Sequence, residues 1–362
     1  MHDISTNPQG AHGGDIISMA RSLGCAVSDL IDLSSNLTPL PSPPGLREAL
    51  VAGLDQMAFL PESDSDSLVA AFAGRHGLGR GQVLAGNGTT EFIYAVPTAT
   101  ACKRALIVTP TYGDYRLACE WAGLAIEYYH LEPAAGFALD CDQLAARLQG
   151  GELVFICNPN NPTGGVTPSR ELLRLAQAHP DSEFLVDESY LPFVNEESLA
   201  SMNLPPNLLV LSSFSKIYGI PGLRLGFLVG AADRLATLMT RRRPWGVNRL
   251  AQLAGEYLLA HADPYVAEVQ EFIRLNRPRF AAGLASLPGV TVVPGAANFI
   301  LCRLDDGPLT AATLRERMLS HRIMIRDCAN FVGLDDHYFR VSLKDETRNQ
   351  QCLAALVQAL QE

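Results

Sequence analysis

The sequence predicts an α/β fold with a mainly parallel sheet in a large domain and a small α+β domain beside it. From Arg104 to Gly230, short apolar runs alternate with helical stretches, which is typical of a parallel sheet covered by helices on both faces. After Gly230 the periodicity becomes that of long helices, and from Val290 onward strands and helices are mixed. A chain of 362 residues also exceeds what one core usually supports, so two unequal domains are expected.

Six strands are predicted between Arg104 and Gly230, because their apolar runs are too short for helices of similar burial. They are Ala105–Thr109, Ile126–His130, Leu153–Cys157, Glu183–Asp187, Leu208–Ser212 and Leu225–Val229. Between them, apolar residues recur at helical spacing over Tyr115–Ala122 and Pro168–Ala178.

Longer helices are predicted over Ala232–Arg242 and Arg249–Leu284, the second interrupted near Asp263-Pro264. The last part of the chain is predicted to form four strands and two helices: Val290–Val293, Asn298–Arg303, Ile323–Arg326 and Tyr338–Ser342, with helices at Leu309–Ser320 and Glu346–Leu360. A proline-rich stretch over residues 39–44 ends an N-terminal arm. We therefore expect an arm over residues 1–45 that belongs to the small domain, a large domain over 46–285 and a small C-terminal domain over 286–362.

The composition excludes several classes of protein. A net charge of −10 argues against nucleic-acid binding, because phosphate backbones require a basic face. No segment reaches the roughly 18 uncharged apolar residues of a membrane span, and the N-terminus lacks the pattern of a secretory signal. Eight scattered cysteines show no spacing for a metal and read as reduced thiols. We expect a cytoplasmic protein that binds no metal, nucleic acid or membrane.

Lysine is rare in this chain, and one lysine has a chemically suggestive setting. Of 28 basic residues only three are lysines, and Lys216 follows a strand in the segment Ser212-Ser213-Phe214-Ser215-Lys216. An amine beside hydroxyls, with Arg224 eight residues later, suits a cofactor that carries both an aldehyde and a phosphate. The amine forms an imine, while the hydroxyls and guanidinium bind the phosphate. The alternative is a solvated lysine in a turn.

Two further segments would complete such a site. Asp187 ends an apolar strand 29 residues before Lys216, and a carboxylate beside a pyridine nitrogen keeps that nitrogen protonated. The alternative for Asp187 is a helix cap. Gly86-Asn87-Gly88-Thr89-Thr90-Glu91 resembles a glycine turn that opens a helix, where backbone N–H groups bind anions. This turn is neither a dinucleotide fingerprint nor a Walker loop.

Several other residues are candidates for the rest of the site. Asn161, in a loop rich in Asn, Pro and Gly, is placed to donate to a phenolic oxygen, and Tyr112 to stack on a flat ring; otherwise they are a loop residue and a packing residue. Arg326 and Arg340 are embedded in apolar strands, so each should meet an anion or an internal salt bridge. The run Arg241-Arg242-Arg243 is expected to be a solvated helix end.

In order and spacing, these residues resemble the site of the class I/II pyridoxal-phosphate aminotransferases, over about residues 12–356. The resemblance implies an aspartate-aminotransferase-like fold, known as fold type I, with pyridoxal 5'-phosphate as cofactor and Lys216 as its Schiff-base lysine. It implies that Asp187 holds the pyridine nitrogen, that Tyr112 stacks on the ring and that Arg340 grips the substrate carboxylate. It also implies that Asn161 and Tyr190 bond the 3-oxygen and that the phosphate is held by Gly88, Thr89, Thr90, Ser213, Ser215 and Arg224.

Within the family, the chain is most similar to the histidinol-phosphate aminotransferases and the threonine-phosphate decarboxylases. The decarboxylases are favoured by three segments: His12-Gly13-Gly14, residues 244–248 and residues 325–335. This likeness implies that His12, Gly13, Asn161, Arg326 and Asn330 serve the substrate, with Arg326 nearest its phosphate. Two departures are Leu60, where a tyrosine from the neighbouring subunit is usual, and Tyr190, which is typical of aminotransferases rather than decarboxylases.

The resemblance leaves three functional hypotheses. The first is decarboxylation of L-threonine O-3-phosphate, or a similar O-phospho amino acid, for synthesis of the cobalamin side chain. The second is a histidinol-phosphate aminotransferase that uses glutamate and 2-oxoglutarate. The third is a cofactor-binding protein without activity. We also expect a homodimer, since sites of this fold are built at a two-fold interface.

Overall fold

The N-terminal part of the chain consists of short elements. The structure is a computed structural model that describes residues 13–362, so the predicted binding residue His12 lies outside the described residues. The first elements are helix α1 (Ile16–Ser22), strand β1 (Ile31–Asp32), and helices α2 (Leu46–Ala52) and α3 (Asp66–His76). Short 3-10 turns occur here and later, at Val27–Asp29, Leu54–Ala58, Arg80–Gln82, Pro133–Ala135, Leu191–Phe193 and Leu199–Ser201.

A seven-stranded sheet forms the centre of the large domain. Its strands are β2 (Val83–Asn87), β3 (Arg104–Thr109), β4 (Ala125–His130), β5 (Glu152–Cys157), β6 (Glu183–Asp187), β7 (Leu208–Ser213) and β8 (Leu225–Val229). In space they follow the order β2-β8-β7-β6-β5-β3-β4. The six strands predicted in this region are confirmed to within one residue at each end, whereas β2 was not predicted.

The sheet is mainly parallel, as expected, but β8 is not. The strands β7, β6, β5, β3 and β4 pair in parallel, while β8 is antiparallel to both of its neighbours, β7 and β2. The assignment of Leu225–Val229 to a parallel pattern was therefore wrong for this strand. Only residues 214–224 join β7 to β8, and a parallel crossover needs a longer connection, usually a helix of several turns.

Helices cover both faces of this sheet, which explains its continuous apolar strands. Alternate residues of β5 enter separate cores: Phe155 packs in the cluster of α4 and α5, and Val154 in the cluster on the opposite face. The helices of this region are α4 (Thr89–Ala99), α5 (Asp114–Ala122), α6 (Cys141–Ala145), α7 (Ser169–Ala178), α8 (Phe214–Ile217), α9 (Ala232–Met239), α10 (Arg249–His261) and α11 (Asp263–Ala285).

The rest of the chain contains two smaller sheets. Its elements are β9 (Val290–Val292), β10 (Phe299–Leu304), α12 (Ala311–Ser320), β11 (Ile323–Met324), β12 (Arg326–Asp327), β13 (Tyr338–Ser342) and α13 (Glu346–Ala359). One is antiparallel, in the order β12-β13-β10-β9, and the other pairs β11 in parallel with β1 of the N-terminal arm. The single strand predicted over Ile323–Arg326 was wrong, because its two halves pair with different partners. The two predicted domain boundaries, after residues 45 and 285, stay predictions.

Three details of the helices bear on the sequence predictions. The break predicted near Asp263-Pro264 is confirmed, since α10 ends at His261 and α11 begins at Asp263. Helix α9 ends at Met239, so the run of arginines after it is not helical. Within residues 13–362, no helix combines the length and apolarity needed to cross a membrane.

Candidate active site

Polar side chains collect at the carboxyl ends of β3, β5, β6 and β7, where loops leave the parallel part of the large sheet. Ligands of open α/β sheets bind at this kind of edge. Two adjoining cavities lie there, of about 170 Å³ and about 390 Å³. Both are lined by Tyr112, Asn161, Tyr190 and Lys216, which therefore stand where the two cavities meet.

The structure brings nearly all predicted site residues of its described part to these cavities. The smaller cavity is also lined by Thr89, Thr90, Asp187, Ser213, Ser215 and Arg224. The larger cavity is also lined by Gly13, Arg326, Asn330 and Arg340. Gly88 lines neither cavity, but the Arg224 guanidinium lies against the position that a Cβ atom of Gly88 would occupy. The roles assigned to these residues stay predictions.

Lys216 lies on the short helix α8 and is partly buried in the wall of both cavities. Burial, together with the positive charges of Arg340 and Arg224, lowers the pKa of its amine to about 8. The carboxylates of Asp187 and Asp32 act in the opposite direction. A large fraction of the amine is thus neutral near pH 8, the form that attacks an aldehyde.

Asp187 ends β6 in the smaller cavity, and both of its carboxylate oxygens accept hydrogen bonds. Tyr115 donates its hydroxyl to Oδ2 at 2.7 Å, and the backbone N–H of Ser189 donates to Oδ1 at 2.9 Å. Burial raises the pKa of Asp187, while these two donors and Lys216 oppose the rise. Such a carboxylate is suited to a cationic partner, such as a protonated ring nitrogen.

The other end of the smaller cavity forms an anion cradle. Helix α4 begins at Thr89, so its N-terminal N–H groups and partial positive charge face the cavity. The hydroxyl oxygen of Ser215 is buried and has no hydrogen-bond partner among the described residues. Arg224 donates to Thr90 Oγ1 at 3.5 Å and has a left-handed φ of 62°, a strain that persists at functional sites.

Gly88 allows this cradle to close. Its φ is 72°, and a Cβ atom there would lie 2.5 Å from the Arg224 guanidinium nitrogen Nη2. A larger residue would therefore displace the arginine from the helix terminus. An unsatisfied hydroxyl, a helix N-terminus and a guanidinium around one small cavity fit a phosphate monoester, and the aldehyde-reactive amine lies in the same wall. The residues present fit pyridoxal phosphate.

The residues between the two cavities are held by one local hydrogen bond and by two that come from distant parts of the chain. Tyr112 donates its hydroxyl to Asp114 Oδ2 at 2.8 Å. Asn161 Oδ1 accepts a hydrogen bond from Arg340 Nη1. Asn36 Nδ2 donates to the Tyr190 hydroxyl at 3.2 Å, and burial raises the pKa of Tyr190 to about 12, so this hydroxyl stays protonated near neutral pH.

The two predicted substrate arginines have no carboxylate partner within ion-pair distance among residues 13–362, so the predicted alternative of an internal salt bridge is not observed there. Arg326 donates to Asn330 Oδ1 at 2.7 Å, and Arg340 donates to the Ser34 carbonyl at 2.9 Å. The Nε atom of Arg340 is buried without a partner in the described structure. Both side chains are therefore open to an anionic ligand.

The segment Ser34–Asn36 lines the larger cavity and was missed by the sequence analysis. The Asp32 carboxylate organises it, accepting from the backbone N–H groups of Ser34 and Ser35 at 2.8 and 3.2 Å and from both serine hydroxyls. The Ser34 carbonyl in turn holds Arg340. No sequence signal identified this segment, because the preceding strand β1 has only two residues. Tyr115 and Ser189, the partners of Asp187, were missed as well.

The arginine run that was predicted to be solvated is exposed at Arg241 and Arg243, but the prediction was wrong for Arg242. Arg242 is not solvated: its side chain is 11% exposed, and its Nε donates to Glu91 Oε1 at 2.8 Å. Its Nη2 also donates to the Ala85 carbonyl at 2.6 Å. Because Glu91 Oε2 accepts from the Asn87 N–H at 2.6 Å, Arg242 braces the turn that opens α4. A run of three arginines does not reveal which of them has a carboxylate within reach.

Comparison with known proteins matches the chain over nearly its full length. The family model of aminotransferase class I and II matches residues 28–356. A threonine-phosphate decarboxylase of Salmonella typhimurium is 37% identical over 352 residues, or 96% of this chain and 95% of that protein. Histidinol-phosphate aminotransferase 2 of Ralstonia nicotianae is 31% identical over 363 residues, or 96% of this chain and 93% of that protein.

A solved structure agrees with the sequence matches. The crystal structure of L-threonine-O-3-phosphate decarboxylase from Porphyromonas gingivalis has a TM-score of 0.83 and 32% identity, covering 92% of this chain and 100% of that one. The expected aspartate-aminotransferase-like fold is thereby confirmed, as is pyridoxal phosphate as the cofactor. With the family model spanning most of the chain, the protein belongs to the class I and II aminotransferase family of pyridoxal-phosphate-dependent enzymes.

Proposed function

We propose that this enzyme decarboxylates an L-amino acid O-phosphate, with L-threonine O-3-phosphate as the first candidate. The products are carbon dioxide and the corresponding amino-alcohol phosphate, and we propose that the latter serves synthesis of the cobalamin side chain. The Salmonella relative at 37% identity and the Porphyromonas structure at 32% identity both bear this activity in their names, which supports the proposal.

The observation that carries the proposal is the pairing of two cationic side chains. Arg326 of β12 and Arg340 of β13 are directly opposite each other in the antiparallel register. Opposed residues project from the same face about 5 Å apart, and like charges in such a pair are mutually destabilising. Both guanidiniums line the larger cavity beside Lys216. This arrangement is suited to a substrate with two anionic groups, such as a carboxylate and a phosphate.

The residues of this chain would orient and protonate the substrate. Pyridoxal phosphate, when bound, supplies an electrophilic aldehyde and a ring that accepts electrons from the substrate Cα. Arg340 would hold the carboxylate and Arg326 the phosphate, and these two contacts would orient the substrate so that its Cα–carboxylate bond breaks and carbon dioxide leaves. The Lys216 amine lies in the same cavity wall, where it would return a proton to Cα.

A histidinol-phosphate aminotransferase is the second candidate. The Ralstonia relative at 31% identity supports it, and so does Tyr190, which is typical of aminotransferases. The same residues would serve both reactions, because the outcome depends on which bond at Cα they orient for cleavage. In the aminotransferase, Lys216 would take up the proton from Cα. Histidinol phosphate has one anionic group, so it would leave one of the two arginines without an anionic partner. Glutamate, the other substrate of that reaction, has two carboxylates and would match both.

Product identification separates the two candidates. The holoenzyme is incubated with threonine O-3-phosphate alone, with serine O-phosphate alone, and with histidinol phosphate plus 2-oxoglutarate. We expect carbon dioxide and the amino-alcohol phosphate from the first or second mixture without any oxo-acid, and no product from a Lys216→Ala variant. Glutamate formation in the third mixture, with no carbon dioxide in the first two, would overturn the proposal.

We also propose that the enzyme is a homodimer. An exposed apolar surface supports this: Met57, Phe59 and Leu60 are 59%, 70% and 75% exposed, and Trp245 is 49% exposed. The backbone N–H of Trp245 donates to the Ser63 carbonyl at 3.1 Å, so the two segments adjoin. Large apolar side chains grouped in this way are typical of protein interfaces.

A cytoplasmic location is proposed on the chemistry of the cysteines. All eight are free thiols in the structure, and five of them are buried. Unpaired cysteines persist in compartments kept reducing by glutathione and thioredoxin.

A further inference from the structure

Tyr115 makes contacts that connect two parts of the cofactor site, although the sequence analysis assigned it no role. It lies on α5 and is 1% exposed. Its hydroxyl donates to Asp187 Oδ2 at 2.7 Å. Its ring stacks on Phe155 at a centroid distance of 5.1 Å and meets Tyr112 edge to face at 5.6 Å. One rigid side chain thus contacts both the acid and the aromatic ring of the smaller cavity.

The hydrogen bond to Asp187 has a chemical consequence in a buried site. A carboxylate that accepts a hydrogen bond from a hydroxyl is less basic than a carboxylate without this bond. The decrease in basicity is larger where water is excluded. The Tyr115 hydroxyl itself remains a donor, because burial and the neighbouring Asp187 charge raise its pKa well above the ordinary value. The second carboxylate oxygen is held by the Ser189 N–H, so the orientation of Asp187 is fixed from two sides.

We infer that Tyr115 is a positioning residue of the reaction: its hydroxyl holds Asp187 in the orientation that serves the cofactor pyridine nitrogen, and its ring supports Tyr112. This inference rests on the proposed place of Asp187 at that nitrogen, but not on which substrate the enzyme uses. Without the hydroxyl, the carboxylate becomes more basic, and the proton shared with the nitrogen moves toward the carboxylate oxygen. The ring then withdraws electrons less strongly.

The test follows the nitrogen directly. Holoenzyme is prepared with pyridoxal phosphate labelled with ¹⁵N in the ring, at saturating cofactor, and the nitrogen signal is measured by NMR for wild type and variants. Tyr115→Phe removes one oxygen and keeps the stack on Phe155. Tyr265→Phe is the matched control, since Tyr265 is also buried and its hydroxyl bonds the Thr38 hydroxyl at 2.9 Å, and neither residue lines the two cavities.

We expect the signal of Tyr115→Phe to move toward that of neutral pyridine, with kcat reduced by about tenfold and KM little changed, as for loss of one hydrogen bond to a charged group. Tyr265→Phe should keep the wild-type signal. An unchanged signal in Tyr115→Phe would refute the inference. Should that variant not fold, 3-fluorotyrosine at the same position provides a stronger donor, and its signal must move toward that of the pyridinium or the inference fails.

A third variant separates this inference from the proposal beneath it. Asp187→Asn removes the negative charge, and its signal should move to that of neutral pyridine. If Asp187→Asn leaves the signal unchanged, Asp187 does not serve the ring nitrogen and the proposed site itself is wrong. If Asp187→Asn changes the ¹⁵N signal and Tyr115→Phe does not, the proposed site is retained and Tyr115 is only a packing residue.

Discussion

Burial changes the acid–base behaviour of single residues on both sides of the smaller cavity. Lys216 loses hydration and lies near two arginines, which favours its neutral amine. Asp187 loses hydration too, but it accepts two hydrogen bonds that favour its anion. Desolvation thus favours the neutral form of both groups, and at Asp187 the hydrogen-bond donors and the Lys216 charge oppose this effect without cancelling it.

The depressed lysine pKa predicts how the apoenzyme captures its cofactor. Because only the neutral amine attacks the aldehyde, the capture rate should rise with pH around a midpoint of about 8. Stopped-flow mixing of apoenzyme with pyridoxal phosphate measures this profile, with Nα-acetyl-lysine, whose amine pKa is about 10.4, as the reference. A midpoint equal to that of the reference would show that the Lys216 amine is solvated.

Glu188 predicts a pH dependence of stability. It is buried and accepts from the Ser198 hydroxyl and, at 2.8 Å, from the Leu199 N–H, yet burial raises its pKa to about 7. A folded pKa above the unfolded value of 4.5 means that the stability contributed by the neutral acid is complete below pH 4.5 and is lost as pH rises through about 7.

In the wild type, the free energy of unfolding should fall by up to about 3 kcal/mol as the pH rises between the two pKa values, and Glu188→Gln should not show this fall. Urea unfolding at a series of pH values measures the difference from wild type. Glu48→Gln, at an exposed glutamate, should leave the wild-type slope unchanged. If Glu188→Gln follows the wild-type profile, the Glu188 carboxylate does not titrate in this range.

The paired arginines predict a selective binding defect. Arg326→Gln removes a buried guanidinium from the larger cavity, and a hydrogen bond between charged groups contributes about 1.5 to 3 kcal/mol. We expect KM for the O-phospho amino acid to rise roughly 10- to 100-fold, while the ¹⁵N signal of bound cofactor stays unchanged. Arg303→Gln, in the same small sheet but paired with Asp306 at the surface, is the control. Equal effects in both variants would contradict a substrate role for Arg326.

At the scale of elements, the anion cradle depends on how closely β8 approaches the start of α4. A Cβ atom on Gly226 would lie 2.6 Å from the Thr89 backbone nitrogen and 2.9 Å from the Gly88 carbonyl carbon. Both contacts involve backbone, which cannot move without shifting the turn. The antiparallel strand β8 therefore provides no functional group at this point. Its role is to leave room for the turn, because Gly226 has no side chain.

Gly226→Ala should consequently lower cofactor affinity by about tenfold or more, since forcing a methyl group into a packed site costs about 1 to 3 kcal/mol. Equilibrium dialysis against pyridoxal phosphate measures this affinity. Gly74→Ala on α3 is the matched control, because a Cβ there meets no atom within 4 Å. Wild-type affinity in Gly226→Ala would mean that the turn relaxes freely.

Secondary structure was predictable from the sequence where all residues of an element are similarly buried. Strands such as β5 and β7 are buried on both faces, so their apolar runs stand out in the sequence. Two-residue strands leave no such run: β1 and β11 exist only because they pair with each other. The segment after β1 was missed for this reason, although it forms part of the larger cavity.

At the scale of the whole molecule, the exposed surface of Met57, Phe59, Leu60 and Trp245 predicts dimerisation. Phe59→Asp should shift the enzyme toward monomer and lower its activity, because a charge in an apolar interface is costly. Light scattering after size exclusion measures the mass. Val357→Asp, at an apolar residue of α13 that is 43% exposed, should stay dimeric. A wild-type monomer with full activity would contradict the homodimer.

The sequence by itself determined the fold class, the rarity of lysine and the order of the residues around Lys216, because these depend on local pattern and on chain order alone. Tertiary structure decided which side chains meet. It placed Arg326 opposite Arg340, gave Asp187 its Tyr115 donor and buried Arg242 against Glu91. Such pairs join residues far apart in the chain, and their energies depend on distance and dielectric, which pattern along a sequence does not contain.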